Sequence, residues 1–343
     1  MNNLKKIGLT ALGTALVTAG SAQAASMSVS GATSIFFNGE DNSTKGNGWS
    51  MTDSITFSAS GEMDNGFTWT YSMELDPDAT DGSALNDDSQ MSVTMNDLGT
   101  VKICVSECSN SKKYFFDQSA YTVITDTSLS TGGTYPANEM SYASLQYSTP
   151  ELPFGTKLQA SYGQGKNDSQ SGNAAGPTGS QNSMEGYSIT MNPVDGLNLA
   201  ANYYDVNDYS DGDTSENQLE EGGAWGVTYS LENVSIGYGK SYKAPESTAI
   251  TAGATTAEYY ENTGYSVGYA INEDVSVSYS REEMEQNMQT SDTVTYDIEV
   301  DSVQIAYSLG GATLSVARSD YENKGYVQNE DATETLIALT FAF

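Results

Sequence analysis

No histidine occurs anywhere in the 343 residues. That removes the commonest general base, and with it every Ser-His and Asp-His catalytic arrangement. An acid-only pair remains open, but among 45 carboxylates none stands apart, and no enzymatic activity is expected. The two cysteines, Cys104 and Cys108, form neither a repeated metal pair nor a CxxC redox motif. In an oxidising compartment a small structural disulfide between them is the expected state. Positive charge is scarce, with 13 lysines and arginines against 45 acids and a net charge of −32. Long apolar runs are missing too: beyond the first 24 residues nothing approaches the ~20 that a membrane-spanning helix needs.

The first 24 residues read as a secretory signal peptide. Lys5 and Lys6 precede an apolar run from Ile7 to about Gly20, and Ala22-Gln23-Ala24 offers a small-residue cleavage site. The run is too short for an anchor and is followed by polar sequence. Residues 25–343 then form one unit with no linker-like gap. Without the two leader lysines it carries 11 basic against 45 acidic side chains, a balance of −34.

What the chain does contain is β-pattern. It has 23 tyrosines and 33 glycines, with abundant Ser, Thr and Val. Residues 335–343 alternate Phe343, Phe341, Leu339, Ile337 and Thr335 with Ala342, Thr340, Ala338 and Leu336. A period of two with one apolar and one small or polar face marks a half-buried strand. The same pattern predicts sixteen strands over 27–38, 49–63, 67–75, 89–96, 100–105, 139–148, 156–163, 185–192, 197–205, 223–231, 233–241, 259–270, 275–283, 297–308, 312–320 and 332–343.

Short and long connections alternate between them. Asp64-Asn65-Gly66, Asp97-Leu98-Gly99, Pro193-Val194-Asp195-Gly196, Glu232-Asn233, Ile271-Asn272-Glu273-Asp274 and Leu309-Gly310-Gly311 are tight turns. The long polar loops are 39–48, 76–88, 106–138, 164–184, 206–222, 242–258, 284–296 and 321–331. Strand 67–75 sets Phe67, Trp69, Tyr71, Met73 and Leu75 against Thr68, Thr70, Ser72 and Glu74. A sandwich would expose charges on its polar faces, whereas Ser, Thr, Gly and Ala dominate here and suit a water-filled lumen. Lys166, Lys240, Arg281 and Arg318 take the apolar parity at its loop end, where cations can meet lipopolysaccharide phosphates.

With its closing aromatic strand and its turn/loop alternation, the chain resembles the sixteen-stranded general-diffusion porins of Gram-negative outer membranes, closest in style to the acidic alphaproteobacterial type. The resemblance covers the whole of 25–343 and rests on architecture, without a short diagnostic motif. It implies a transmembrane antiparallel β-barrel, a homotrimer, and a third long loop folded into the pore. That loop is 106–138, whose Tyr114, Phe115, Phe116, Tyr121 and Tyr135 suit packing against a barrel wall. Glu107, Asp117 and Asp126 would line the constriction, and a Cys104–Cys108 disulfide would pinch the loop's entrance.

The chain departs from the family's best-known pattern in having no arginine cluster opposite that loop. Ser58, Ser60, Glu62, Thr70, Ser72, Glu74, Ser92 and Thr94 face inward, and inward cations are Lys102 and Lys157, with Lys112 and Lys113 on the loop. A cation-preferring pore for small hydrophilic solutes and ions is expected, with selection resting mainly on Glu62, Glu74 and the acids of 106–138. The eight long loops hold 24 acids against six lysines, a balance of −18 that steers cations to the mouth. Asp208, Asp211 and Asp213 offer hard oxygens of the kind Ca²⁺ takes, although no cofactor is required and no EF-hand spacing is present. Expected partners are outer-membrane lipid, lipopolysaccharide and further copies of the chain, with no nucleic acid. Two alternatives stand beside this reading, a substrate-specific channel and a surface β-protein such as an adhesin. A sugar path would line the lumen with aromatics, but only Tyr142 and Tyr204 take that parity.

Overall fold

The computed structural model describes residues 25–41, 48–75, 89–104, 115–123, 131–136, 144–163, 183–207, 218–246, 257–289 and 294–343. Sixteen strands run β1 (Ser26–Asp41), β2 (Gly48–Glu62), β3 (Thr68–Leu75), β4 (Ser89–Thr94), β5 (Thr100–Cys104), β6 (Ser144–Ser148), β7 (Lys157–Gly163) and β8 (Met184–Val194). The second half adds β9 (Leu197–Val206), β10 (Glu221–Leu231), β11 (Val234–Ala244), β12 (Ala257–Ala270), β13 (Val275–Met288), β14 (Ile298–Ser308), β15 (Ala312–Glu322) and β16 (Ala332–Ala342). Every strand pairs antiparallel with its chain neighbours, and β1 closes on β16. The only helical turns among the described residues are three short 3₁₀ segments.

All sixteen expected spans carry strands, with two instructive extensions. β13 continues to Met288 and β11 to Ala244, past their expected ends at 283 and 241. The extra residues mix Lys243, Glu285, Gln286 and Asn287 with Tyr242, Ala244, Met284 and Met288 and show no clean apolar face, so they read as loop. Their backbones still pair: Glu285 with Glu261, and Lys243 with both Gly222 and Tyr260. A barrel wall can rise past the lipid edge without needing an apolar face.

The tight turns fall where Gly, Asn and Asp predict them. At 63–67 the Gly66 amide donates to the Met63 carbonyl at 2.8 Å, and Gly66 holds φ +79°, a region open to glycine. In the turn after β12, Asn272 Oδ1 accepts from the amides of Asp274 and Val275. The seam between β1 and β16 is finished by Phe343, which exchanges backbone hydrogen bonds of 2.8 and 2.9 Å with Gly31. A Cβ on Gly31 would stand 2.6 Å from the Ser54 carbonyl oxygen and 2.8 Å from the Phe343 ring, so the seam requires glycine there.

The period of two sorts side chains between lipid and lumen. On β14, Val303, Ile305 and Tyr307 point outward and are exposed, while Ser302 and Gln304 point inward and are buried. Burial of inward residues is uneven around the barrel. On β12–β15, Ser266, Ser280, Ser302, Gln304 and Ser319 are all at most 2% exposed. The inward residues of β1–β4, Glu40 at the end of β1 excepted, stay open or half-open. Something covers one wall and leaves the other to water.

Candidate functional site: the lumen and its inward loop

The cover is the third long loop. Its residues 115–123 lie against lumen-facing side chains of β10–β14, tied by hydrogen bonds to the wall. The Gln118 amide donates to Ser266 Oγ at 3.0 Å and the Ala120 amide to Ser278 Oγ at 2.8 Å. Ser119 and Ser280 share a hydroxyl hydrogen bond of 3.0 Å. The Tyr121 and Thr122 amides both donate to Gln304 Oε1 at 3.0 Å, and Gln304 Nε2 returns a bond to the Thr122 carbonyl. Inward serines and a glutamine thus supply the partners that a loop backbone needs when it leaves water.

Residues 131–136 of the same loop dock higher on that wall. Asn262 Nδ2 donates to the Thr134 carbonyl at 3.1 Å, and the Tyr135 hydroxyl donates to Glu282 Oε2 at 3.0 Å. The Thr134 amide donates to the Tyr326 hydroxyl at 3.2 Å. Burial pushes the Tyr326 phenol up to about 12, so it stays protonated at any physiological pH. Beneath the loop sits the barrel's main apolar cluster of Phe116, Met284, Ile298, Val300, Tyr321 and Tyr326.

The opposite wall is wet. Ser26, Ser28, Ser58, Ser60, Thr70, Ser72, Gln90, Ser92 and Lys102 line a cavity of about 430 Å³ on β1–β5. Its hydroxyls satisfy one another across strands, Ser26 with Ser60 at 2.7 Å and Thr70 with Ser92 at 2.6 Å. A second cavity of about 490 Å³ lies below the loop, where Asp117 and Ser119 approach Glu232 and Asn233 of the β10–β11 turn. The open path therefore runs between loop and hydroxyl wall.

The expected charges are dispersed along this path. Glu62 ends β2 beside a tight turn, while Glu74 nears the opposite end of β3. Glu62 pairs in register with Thr68, six residues before Glu74, so the two lie roughly 20 Å apart along the strand. Lys102 sits amid the hydroxyls, and Lys157 is exposed at the start of β7. Asp117 is half-buried and accepts a 2.5 Å bond from Ser119 Oγ. Burial raises its pKa above the ordinary aspartate value, and the Ser119 bonds only partly offset this. Glu107, Lys112, Lys113, Asp126, Tyr114, Tyr142 and the calcium candidates Asp208, Asp211 and Asp213 lie outside the described residues. So does Cys108; Cys104 is fully buried at the end of β5.

One expectation needs correction. Inward cations are not limited to Lys102 and Lys157: the longer β11 brings in Lys243, whose Nζ is 3.0 Å from Glu220 Oε1. The rim cations have acidic neighbours. Lys240 pairs with Glu261 at 2.5 Å, Arg281 with Glu299 and with Asp301 at 2.8 Å, and Arg318 with Asp320 at 3.6 Å. These acids share the outward parity of the cations and lie within the expected strands 259–270, 297–308 and 312–320; the spans were legible, and the pairing of their side chains was not. Lys166 lies outside the described residues.

Sequence reasoning also missed what the loop covers. Glu282 and Glu334 take the inward parity and are each 1% exposed, and Ile298 and Val300 continue the inward row of Ser302 and Gln304. Their signal was an apolar or acidic residue in phase with a serine row, unreadable until the loop's position was known. Tyr204 does face inward, but it is fully buried against Met184 and Val206, its hydroxyl donating to Glu220 Oε1 at 3.2 Å.

A closed barrel with a lipid-facing apolar exterior, a polar interior and a loop narrowing the lumen belongs to the class of membrane pore barrels. Residues 8–238 match the Gram-negative porin family, and the chain belongs to that family. Its members are outer-membrane channels rather than enzymes. No curated protein matches the chain.

Solved structures share the fold at low identity. OmpF of Salmonella typhi, in complex with daunomycin, superposes with a TM-score of 0.70 at 15% identity over 92% of this chain and 97% of that one. The trimer form of OmpT from Vibrio cholerae gives 0.66 at 12%, over 94% and 100%. An anion-selective porin from Comamonas acidovorans gives 0.63 at 11%, over 93% and 100%.

Proposed function

We propose that the chain forms a water-filled channel for passive diffusion of small hydrophilic solutes and ions across the outer membrane, with a preference for cations. The observation that carries this reading is the loop bound to Ser266, Ser278, Ser280 and Gln304, opposite a wall of hydroxyls left open to water. Solutes move down their gradients, and the protein sets only size and charge selection. Size follows from strand number and loop position. The sign of selection follows from charges along the path, since an anion-selective porin carries the same fold. Glu62 and Glu74 on the open wall and Asp117 on the loop outweigh Lys102 and Lys157, Lys243 being matched by Glu220, and low-dielectric walls focus their field.

Self-association into a trimer belongs to the same reading. Outward tyrosines stud β6–β13 and β14, including Tyr147, Tyr187, Tyr229, Tyr265, Tyr279 and Tyr307, as an interfacial belt requires. On β1–β5 the one tyrosine is Tyr71, and the outward face carries Phe37, Trp49, Phe57 and Trp69 among Met27, Val29, Ile35, Met51, Ile55, Met91 and Ile103, with Asp53 between Met51 and Ile55. An acid on that row is easier to place against protein than against lipid. Export by residues 1–24 and contact of the charged outer rim with lipid and lipopolysaccharide complete the proposal. No cofactor enters the mechanism; calcium at Asp208, Asp211 and Asp213 would be a surface ligand.

Single-channel recording of refolded protein in a planar bilayer under a KCl gradient tests it. Conductance in steps of three with a reversal potential of cation-selective sign is expected. An anion-selective sign would sink the charge assignment, and silence from folded protein would sink the channel.

A further inference from the structure

The loop's seat on the wall is built from glycine. Gly226 of β10, Gly237 and Gly239 of β11, and Gly264 and Gly268 of β12 all take the inward parity, on three adjacent strands. Inward positions around them carry Ala224, Thr228, Ser235, Ser241, Asn262 and Ser266. A Cβ on Gly237 would run into the Phe116 carbonyl, one on Gly264 into the Phe116 ring, and one on Gly226 into Phe115 Cβ. A Cβ on Gly268 would stand 2.8 Å from the Gln118 carbonyl oxygen, and one on Gly239 at 3.4 Å from Phe116 Cβ. Phe116 is 2% exposed in this trough.

We propose that Phe116, seated on Gly237, Gly239 and Gly264, is the positioning residue that fixes the depth of the loop and so the cross-section of the channel. The proposal rests on the channel reading above. Its physical basis is the difference between the loop's two kinds of attachment. The hydrogen bonds to Ser266, Ser278, Ser280 and Gln304 end on rotatable side chains that can follow a shifted backbone. Contact between a ring and bare backbone has no such slack, because packed apolar surfaces tolerate neither voids nor overlap. The loop backbone can approach the wall only where no side chain intervenes, and Phe116 fills the space that approach leaves.

The test compares the parent with Phe116→Ala, Gly264→Val and the double variant, each confirmed as folded by heat-modifiable gel migration. Conductance and the sugar-size cut-off in liposome swelling are read together. Phe116→Ala should loosen the loop and shift the cut-off to larger sugars. Gly264→Val should push the loop into the lumen and lower the conductance. The double variant should behave as Phe116→Ala does, since the added bulk then has no ring to displace. An unchanged cut-off in folded Phe116→Ala overturns the proposal, as does a double variant in which the two effects simply combine. Phe116→Ala adds no bulk and carries the test alone if Gly264→Val does not fold. Chymotrypsin cleavage of the folded proteins reads the loop without current, because Phe115 and Tyr121 remain as sites. A parent that is silent in the bilayer while only the variants are cleaved would sink the channel reading and keep the seat. Equal protection in parent and variants would sink the seat.

Discussion

Asp117 shows how a single side chain can do two things in a lumen. Its carboxylate adds negative charge to the path, and its partial burial raises its pKa. An aspartate whose folded pKa is raised binds its proton more tightly in the folded state, so its contribution to loop docking is lost as pH rises from the ordinary aspartate value through the raised one. Its charge likewise disappears on acidification before that of an ordinary aspartate. Reversal potentials measured against pH should therefore begin to fall at higher pH in the parent than in Asp117→Asn, which should be less cation-preferring at neutral pH. Lys102 makes the converse case: Lys102→Glu should raise cation preference without changing the size cut-off, because its neighbours are hydroxyls that need no ion pair. Tyr135→Phe removes the donor to Glu282 Oε2. A loss of about 1–3 kcal/mol in loop protection is expected from a buried acceptor left short of one partner, measured by hydrogen exchange.

Strands answer to a different rule, set by which face meets lipid. Ile305 lies on the outward row of β14 between Val303 and Tyr307. Ile305→Arg should cost up to about 2–4 kcal/mol in urea titrations of refolding into vesicles, depending on its depth, while Ser302→Ala on the inward row should cost far less. The end of β16 has a further duty, since Phe343 exchanges both backbone bonds with Gly31 and covers it with its ring. Gly31→Leu should slow or prevent barrel closure, seen as loss of the fast-migrating folded band in unheated samples. Most strand boundaries were legible because alternation and turn chemistry agree. The upper ends of β11 and β13 were not, because above the lipid edge a paired strand carries the composition of a loop.

At the scale of the molecule, one barrel carries two unlike walls. β10–β15 are covered by the loop and hold the apolar cluster, whereas β1–β5 stay open and carry hydroxyls. Charges on loops and rim act at longer range than those in the lumen, so salt should separate them. Raising ionic strength from 0.1 to 1 M shortens the Debye length from about 10 to about 3 Å. The cation preference should drop over that range to the part owed to Glu62, Glu74 and the loop acids, read as a reversal potential at fixed salt ratio.

The sequence by itself determined the strand count, the alternation of turns and loops, and the side of the wall on which each residue lies. Those properties are local: a period of two, a turn residue with positive φ, a run of serines. Tertiary structure alone decided which inward residues see water. Glu282, Ile298 and Val300 share their parity with lumen serines, and only a loop arriving from more than a hundred residues away in the chain turns their positions into interior. The ion pairs of Lys240 and Arg281 join neighbouring strands, so Arg281 reads as a bare cation until the register sets Asp301 opposite it. The glycines of β10–β12 read as gaps in a strand pattern until Phe116 is found resting on them. Contacts between segments distant in sequence depend on where closure brings the chain, and a periodicity carries no record of that.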